Sequence, residues 1–103
     1  MSSKVTWLKK YEFEVCEQDA NWNEVAGIYI FTGLNARNLW VPFYIGQAKN
    51  FQDRIPNHEN WKAAVRLGAT HVHAMVVSQA AMRDKIEKEL IEAYQPSLNV
   101  QLK

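Results

Sequence analysis

Two runs rich in β-branched and aromatic residues, Val25 to Thr32 and Trp40 to Ile45, constrain the fold of this chain most strongly. Runs of this composition are typical of β-strands. The segment 33–38 between them contains one glycine and two asparagines, which favour a loop. Because strands joined by a short loop normally pair in antiparallel fashion, we expect a β-hairpin, with Pro42 near the start of its second strand.

Helix signals follow the predicted hairpin. Asn50 can cap a short helix that runs to about Ile55 and ends at Pro56. The stretch from His58 to Leu67 is predicted to be helical, because Gly68 directly after it is a common helix stop. The sequence therefore predicts two short helices after the hairpin.

The C-terminal part of the chain predicts one strand and one long helix. Thr70 to Val77 is rich in β-branched residues, and strand alternation places His71 and His73 on one face. A long helix is expected from Gln79 to Gln95, with Ser78 as its cap.

Position around the long helix separates Glu87 from its other charges. At ~100° per residue, the apolar side chains form one stripe. These are Met82, Ile86, Leu90, Ala93 and Tyr94. Glu87 lies about 65° from the centre of the stripe by the same geometry. We therefore expect its carboxylate at the border of the core, where it either serves a function or pairs with Arg83 along the helix.

The order of these elements predicts an α+β domain with a three-stranded antiparallel sheet flanked by helices. A chain of 103 residues can bury one hydrophobic core, so residues 1–103 are expected to form a single domain. The readable core spans residues 25–100, and residues 1–24 are expected to be an N-terminal extension. Within it, the alternation from Tyr11 to Val15 predicts a short strand.

Composition limits the range of functions. The formal net charge is only +1, so an extended duplex-binding surface is not expected, although Lys49, Arg54, Lys62 and Arg66 could form a local basic patch. The sequence has neither an apolar stretch long enough to cross a bilayer nor an apolar signal core at its start. The single Cys16 fits a reducing compartment. We therefore expect a cytoplasmic protein that does not engage membranes; its oligomeric state is not predicted.

Four short motifs occur in order along these elements. They are Gly27-Ile28-Tyr29, Tyr44-Ile45-Gly46, Arg54 with His58, and the run Glu87-x-x-Leu90-Ile91-x-x-Tyr94-x-Pro96-x-x-Asn99. Together they resemble the motifs of the GIY-YIG nuclease superfamily, and the resemblance covers residues 26–100. One departure is Gln47, because relatives in bacterial excision repair usually carry lysine there. Another is a longer loop between the two tyrosines, which includes Trp40 and Pro42.

The resemblance implies a site that hydrolyses phosphodiester bonds. It implies that Tyr29 activates the attacking water with help from Tyr44 or His58, and that Arg54 opposes the charge that develops on the phosphate. It also implies that Glu87 holds a divalent ion, Mg²⁺ or Mn²⁺, and such hard ions prefer carboxylate oxygens. Further candidates for contact with the substrate are Gly46, Gln47, Lys49, Asn50 and Asn99.

Several candidates also have ordinary structural explanations. The tyrosines could be core residues, His58 a loop residue and Asn99 the cap of a turn. Glu89 is a rival to Glu87, but spacing to the later motif residues favours Glu87. A zinc site at the two strand histidines would need further ligands that the sequence does not place nearby. The tryptophans could stack on unpaired bases or pack in the core: Trp22, Trp40 and Trp61.

The predicted function is a metal-dependent endonuclease that hydrolyses DNA. The modest net charge favours a short contact, low sequence specificity and a single-stranded or structured DNA substrate. The sequence does not distinguish DNA from RNA. The alternative function is a non-catalytic nucleic-acid-binding module that retains the nuclease fold, and Gln47 is the feature that favours it.

Overall fold

The computed structural model describes residues 3–101, which form one antiparallel sheet and four helices. The elements are β1 (Lys4–Trp7), β2 (Tyr11–Cys16), β3 (Gly27–Leu34), β4 (Trp40–Ala48), α1 (Phe51–Arg54), α2 (Trp61–Leu67), β5 (His71–Val76), α3 (Ala80–Tyr94) and α4 (Ser97–Gln101). The strand order is β1-β2-β5-β3-β4, and each neighbouring pair is antiparallel. The predicted α+β class is confirmed, but the prediction of three strands is wrong, because the sheet has five.

The two additional strands come from the N-terminal part of the chain. The alternation that predicted a strand at Tyr11 to Val15 corresponds to β2, which pairs with β5. β1 was not predicted. It is joined to β2 by a turn in which Leu8 and Lys9 have φ values of 55° and 58°. Such hairpin turns usually contain glycine or asparagine, so this one left no signal in the sequence. Both strands belong to the sheet and are not an extension outside it.

The hairpin of β3 and β4 is longer than predicted and contains an irregularity. Both strands run past their predicted C-terminal ends. Phe31 pairs with Tyr44 while Thr32 pairs with Pro42, so Phe43 is an extra residue in β4. β4 lies at the edge of the sheet, where a bulge and a proline are tolerated. The bulge directly precedes the second motif and sets the direction of its side chains.

Alternation along β3 divides the core between the two faces of the sheet. Tyr29 and Phe31 belong to the cluster that packs with residues of α1 and α2. Ile28 and Ile30 belong to the cluster that packs with α3. His73 pairs with Ile30, so its fully buried ring lies on the α3 face, opposite Tyr29.

The short helices have the predicted end signals. The side chain of Asn50 accepts hydrogen bonds from the backbone N–H groups of Gln52 and Asp53, which confirms it as the cap of α1. α2 begins at Trp61, three residues later than predicted, and Gly68 ends it in the left-handed conformation with a φ of 120°.

The buried face of α3 differs from the predicted stripe. Arg83, Ile86 and Leu90 are buried, whereas Met82 and Tyr94 are 41% and 37% exposed. The stripe is therefore rotated toward Arg83, and Glu87 remains half-buried at its border. The helix begins after Gln79, so Ser78 is not its cap. Between residues 3 and 101, no helix combines the length and apolar character that a membrane span needs.

Candidate active site

A hydrogen bond between two buried side chains links the first motif to the loop after α1. Oη of Tyr29 lies 2.7 Å from Nε2 of His58. The backbone N–H of Asn60 donates to Nδ1 of the same ring at 3.0 Å. A neutral imidazole carries one proton, and Nδ1 is already an acceptor. The proton therefore resides on Nε2, and His58 donates to the tyrosine.

This arrangement limits what His58 can do. Burial, together with the nearby charge of Arg54, lowers the pKa of His58 to about 4. Glu59 lies 3.7 Å from Nδ1, but at neutral pH the uncharged ring forms no ion pair with it. Since Nε2 already carries a proton, the neutral ring cannot accept another from Tyr29. The geometry assigns His58 the role of orienting Tyr29.

Tyr44 and Gly46 complete the surroundings of the first tyrosine. The ring centroid of Tyr44 lies 6.3 Å from that of Tyr29 and 5.1 Å from that of His58. Gly46 pairs with Tyr29 across the hairpin. A Cβ at this glycine would lie 2.5 Å from the Tyr29 hydroxyl and 3.0 Å from the Tyr44 ring. Glycine is required here because the phenol packs directly against the backbone.

Arg54 is held by a residue that the sequence did not single out. Its Nη1 and Nη2 donate to the two carboxylate oxygens of Glu59 at 2.7 and 3.0 Å. The hydrogen bond from Arg54 lowers the pKa of Glu59 to about 2, so this carboxylate is charged at neutral pH. The same planar fork is the geometry in which arginine binds phosphate. In the sequence, Glu59 was distinguished only by being an acidic residue directly after His58.

Charges from two helices act on both phenols. Burial raises the pKa of Tyr29 and of Tyr44, and the negative charge of Glu87 raises the pKa of each further. The positive charge of Arg54 lowers the pKa of both phenols. The predicted acid and the predicted arginine are therefore both within electrostatic range of the tyrosines.

Gln47 binds the predicted acidic residue on the α3 side of the sheet. It pairs with Ile28, so its side chain leaves the face that packs with α3. Its Nε2 donates to Glu87 Oε1 at 2.9 Å and to Asp84 Oδ1 at 2.7 Å. The phenols and these carboxylates thus approach from opposite faces of β4, and the site is built around the edge of that strand.

The structure distinguishes Glu87 from Glu89 and from the predicted ion pair between Glu87 and Arg83. Glu89 accepts hydrogen bonds from Lys10 Nζ at 2.6 Å and from the Tyr11 hydroxyl, which ties it to the N-terminal hairpin. Arg83 forms no ion pair with Glu87 in the described part of the chain. The same range contains no group of three or more His, Cys, Asp or Glu suited to a metal. A metal ion at Glu87 would therefore depend on one or two carboxylates.

The remaining predicted contacts are mostly engaged with the protein itself. Oδ1 of Asn99 accepts from the Ile45 N–H and its Nδ2 donates to the Ile45 carbonyl, both at 2.8 Å. Asn99 thus acts as a neighbouring strand would and fixes the backbone of the second motif. Asn50 caps α1, and Lys49 is exposed beside it.

The strand histidines and the tryptophans have packing roles. The ring of Trp40 contacts both His71 and His73, at centroid distances of 5.5 and 4.6 Å. Trp61 packs edge-on against Phe31, and Trp22 packs edge-on against Phe51. These contacts support core packing over base stacking for all three tryptophans.

A cavity of about 370 Å³ lies elsewhere, among β2, β5 and the segment before β3. Its lining includes Phe13, Trp22 and Phe51 but none of the predicted site residues. The chemistry-bearing side chains instead converge on the edge of β4, which makes that edge the candidate site.

Comparison with known proteins identifies relatives of the chain. No family model matches the chain. UvrABC system protein C of Thermotoga maritima is 34% identical over 84 residues, which is 78% of this chain and 14% of the relative. The chain thus matches only a small part of that protein's length.

Solved structures of one domain of that protein are also similar. The N-terminal GIY-YIG endonuclease domain of UvrC from Thermotoga maritima, bound to magnesium as its catalytic divalent cation, superposes with a TM-score of 0.59 and 28% identity. The match covers 74% of this chain and 84% of that one. A point mutant of the domain gives 30% identity and a TM-score of 0.58 over 74% and 83% of the two chains. The motif order, the fold and these similarities show that the chain belongs to the GIY-YIG endonuclease family.

Proposed function

We propose that this chain is a divalent-metal-dependent endonuclease that hydrolyses DNA. The observation that supports it best is the convergence of different elements at the edge of β4. Tyr29 of the neighbouring strand packs against Gly46 and is held by His58, Arg54 presents a phosphate-binding fork, and Gln47 holds Glu87. The magnesium-bound structure of the related UvrC domain supports the metal, and the similarity to this endonuclease domain supports DNA as the substrate class.

The residues present fit a hard divalent ion. Glu87 and Asp84 each use one carboxylate oxygen to bind Gln47, which leaves the second oxygen of each for a metal. Mg²⁺ commonly takes one or two protein carboxylates and completes its shell with water and phosphate oxygens. When bound, the ion would supply Lewis-acid stabilisation of the phosphate and of the leaving oxygen.

Tyr29, Tyr44 and His58 are proposed to bind the attacking water and to accept its proton. As a phenolate, Tyr29 would accept that proton, and the Nε2–H of His58 stabilises the phenolate by donating to its oxygen. In the metal-free protein, burial and Glu87 raise the pKa of Tyr29, so it is a neutral phenol at pH 7. Positive charge near the phenol favours its deprotonation. Tyr44 lies in the same cluster, where its hydroxyl can hold the water or a phosphate oxygen.

Arg54 stabilises the negative charge that develops on the phosphate. Its fork binds Glu59 in the free protein, and the same donors fit two phosphate oxygens. Binding of the substrate would therefore exchange one anion for another. The half-exposed pair with Glu59 is a weak interaction that a phosphate can displace.

We further propose a short contact with low sequence specificity, on single-stranded or structured DNA. The net charge of +1 supports a small footprint. Because the tryptophans pack in the core, base stacking does not support the proposed preference for unpaired DNA. The low net charge of the protein is the only feature that supports it. A non-catalytic binding module is the weaker alternative, because both tyrosines, Arg54 and Glu87 are all present.

Cleavage assays test the proposal. The chain should nick supercoiled plasmid with Mg²⁺ or Mn²⁺ and not with EDTA, and labelled single-stranded, duplex and branched DNA compared side by side would identify the substrate. Glu87→Gln should lower the cleavage rate at least about 100-fold, because the metal loses its main ligand. Glu89→Gln makes the same chemical change on the same helix away from the site and should retain activity. Metal-independent cleavage, or full activity in Glu87→Gln, would contradict the proposal.

A further inference from the structure

We propose that Gln47 and Arg83 form a positioning pair that orients Glu87 and Asp84 and sets their affinity for the divalent ion. This inference rests on the proposed metal site and adds a role for two residues outside the metal's own ligands. It is carried by the burial of Arg83 and by the direction of the Gln47 amide.

Arg83 is a buried cation that has no acidic partner among the described residues 3–101. Its side chain lies in the core face of α3, with only 5% of the residue exposed. Nη1 donates to the carbonyl oxygens of Val77 at 3.1 Å and Ser78 at 2.9 Å. No carboxylate within residues 3–101 forms an ion pair with it. Burial of a charge is costly unless hydrogen bonds compensate, so these carbonyls hold the guanidinium in one place.

The fixed guanidinium determines which way the Gln47 amide points. Nε of Arg83 donates to Oε1 of Gln47 at 3.3 Å. Arginine has donors and no acceptor, so only the oxygen of the amide can face it. A flipped amide would turn its NH₂ group toward the guanidinium and lose this bond. The NH₂ group therefore faces α3, where its two hydrogens reach Asp84 and Glu87.

The result is a pair of carboxylates that is held without being neutralised. Asp84 and Glu87 lie three residues apart on one face of α3, and each donates no hydrogen but accepts one from the same nitrogen. The amide adds no charge, so it does not compete with a cation for the carboxylates. Outer partners of this kind orient metal ligands, and their loss typically weakens metal binding by about 10- to 100-fold.

Manganese binding to the full-length, metal-free chain tests the pair without DNA. Mn²⁺ affinity would be measured by electron paramagnetic resonance for the wild type and for Gln47→Met, whose side chain has similar length but no hydrogen-bonding group. We expect binding about tenfold weaker. Glu89→Gln is the matched control and should bind as the wild type does.

Arg83→Lys provides an independent test through the second member of the pair. It keeps the charge but lacks Nε, so Gln47 loses its orientation and Mn²⁺ binding should weaken in the same direction. Near-ultraviolet circular dichroism and Tm would report the fold of each variant. A purely structural role would lower Tm without changing the Mn²⁺ affinity of the folded protein, and that result would overturn the proposal.

Glu87→Gln separates failure of this inference from failure of the proposed function. If Glu87→Gln loses Mn²⁺ binding while Gln47→Met and Arg83→Lys bind as tightly as the wild type, the positioning role is wrong and the metal site stands. If the wild type shows no saturable Mn²⁺ binding, or if Glu87→Gln retains it, the proposed metal site at Glu87 is wrong. The positioning role of Gln47 and Arg83 is then wrong as well.

Discussion

Tyr29 is placed by neighbours that leave it little freedom. His58 donates to its hydroxyl, Gly46 lies against its ring, and Asn60 fixes the histidine through a backbone N–H. Glu87 is held in a comparable way by an amide that Arg83 orients. In both cases an uncharged group contacts the candidate site residue, so the contact does not neutralise the carboxylate of Glu87 and adds no charge beside Tyr29.

Gly46→Ala tests the close packing around Tyr29. The added Cβ would lie 2.5 Å from the hydroxyl, so the phenol must move away from its position. We expect the cleavage rate to fall at least about tenfold and the free energy of unfolding to fall by about 1–3 kcal/mol. Single-turnover cleavage and urea unfolding would measure the two effects.

Gly33→Ala is the comparison for that variant. Its Cβ would clash with the carbonyl oxygen of Gly68, four residues along β3 from Tyr29. It should also lower stability, but the protein that remains folded should cleave at nearly the wild-type rate. A wild-type rate in Gly46→Ala would show that contact with this glycine does not position Tyr29.

Glu59→Gln tests whether Glu59 occupies the phosphate-binding guanidinium of Arg54 in the free protein. Removal of the carboxylate charge frees Arg54, so DNA no longer competes with Glu59. An exposed ion pair is worth up to about 1 kcal/mol, which corresponds to a 2- to 5-fold tighter Kd for DNA. Fluorescence anisotropy in EDTA at low salt would measure it. Glu92→Gln changes net charge equally at an exposed site, and an equal gain there would point to a general charge effect.

The sequence pointed to the candidate site residues more directly than to the residues that contact them. Tyr29, Tyr44 and Glu87 stand in motifs whose order could be recognised. Arg83 could not be identified in this way, because a charged residue in an amphipathic helix is normally assigned to solvent. Its burial depends on the carbonyls of Val77 and Ser78 just before the helix and on Gln47, which is distant in the sequence.

At the scale of elements, short sequence signals predicted those helix ends that are determined by residues close by in the chain. The cap at Asn50 and the stop at Gly68 were found because each residue acts on its own helix. β1 was missed because its turn uses Leu8 and Lys9 in left-handed conformations, without the usual glycine or asparagine. The start of α3 was misplaced by one residue, since Ser78 offers its carbonyl to Arg83 and does not cap the helix.

Asn99→Ala tests the attachment of α4 to the edge of β4. The asparagine satisfies both backbone groups of Ile45, so its loss exposes them to water. We expect hydrogen exchange at the Ile45 amide to accelerate strongly, with a loss of stability of about 1–3 kcal/mol. The amide of Ile30, in the middle of the sheet, is the internal control. Unchanged protection of Ile45 in the variant would contradict the proposed role of Asn99.

At the scale of the whole molecule, the sheet separates two buried histidines. His58 lies on the face of α1 and α2, and His73 lies on the face of α3. Nδ1 of His73 accepts from Trp7 Nε1 at 3.1 Å, while its Nε2 has no hydrogen-bond partner within the described residues. Burial lowers the pKa of each histidine to about 4, from an ordinary value near 6.5. Both rings are therefore neutral in the folded protein at physiological pH.

The two histidines should make the domain sensitive to mild acid. Between pH 6.5 and 4 the unfolded chain binds more protons than the folded one, so stability falls as pH falls. Each ring contributes a loss of up to about 1.4 kcal/mol per pH unit, and this contribution declines toward zero as pH rises above 6.5. Hydrogen bonds from Arg54 and Lys10 lower the pKa of Glu59 and of Glu89, so these carboxylates add to the loss of stability mainly below their ordinary pKa of 4.5. Urea unfolding at pH 5, 6, 7 and 8 would measure the slope. His73→Gln should roughly halve it, because one of the two buried rings is removed. Equal stability at pH 5 and pH 7 in the wild type would show that neither ring is held neutral by the fold.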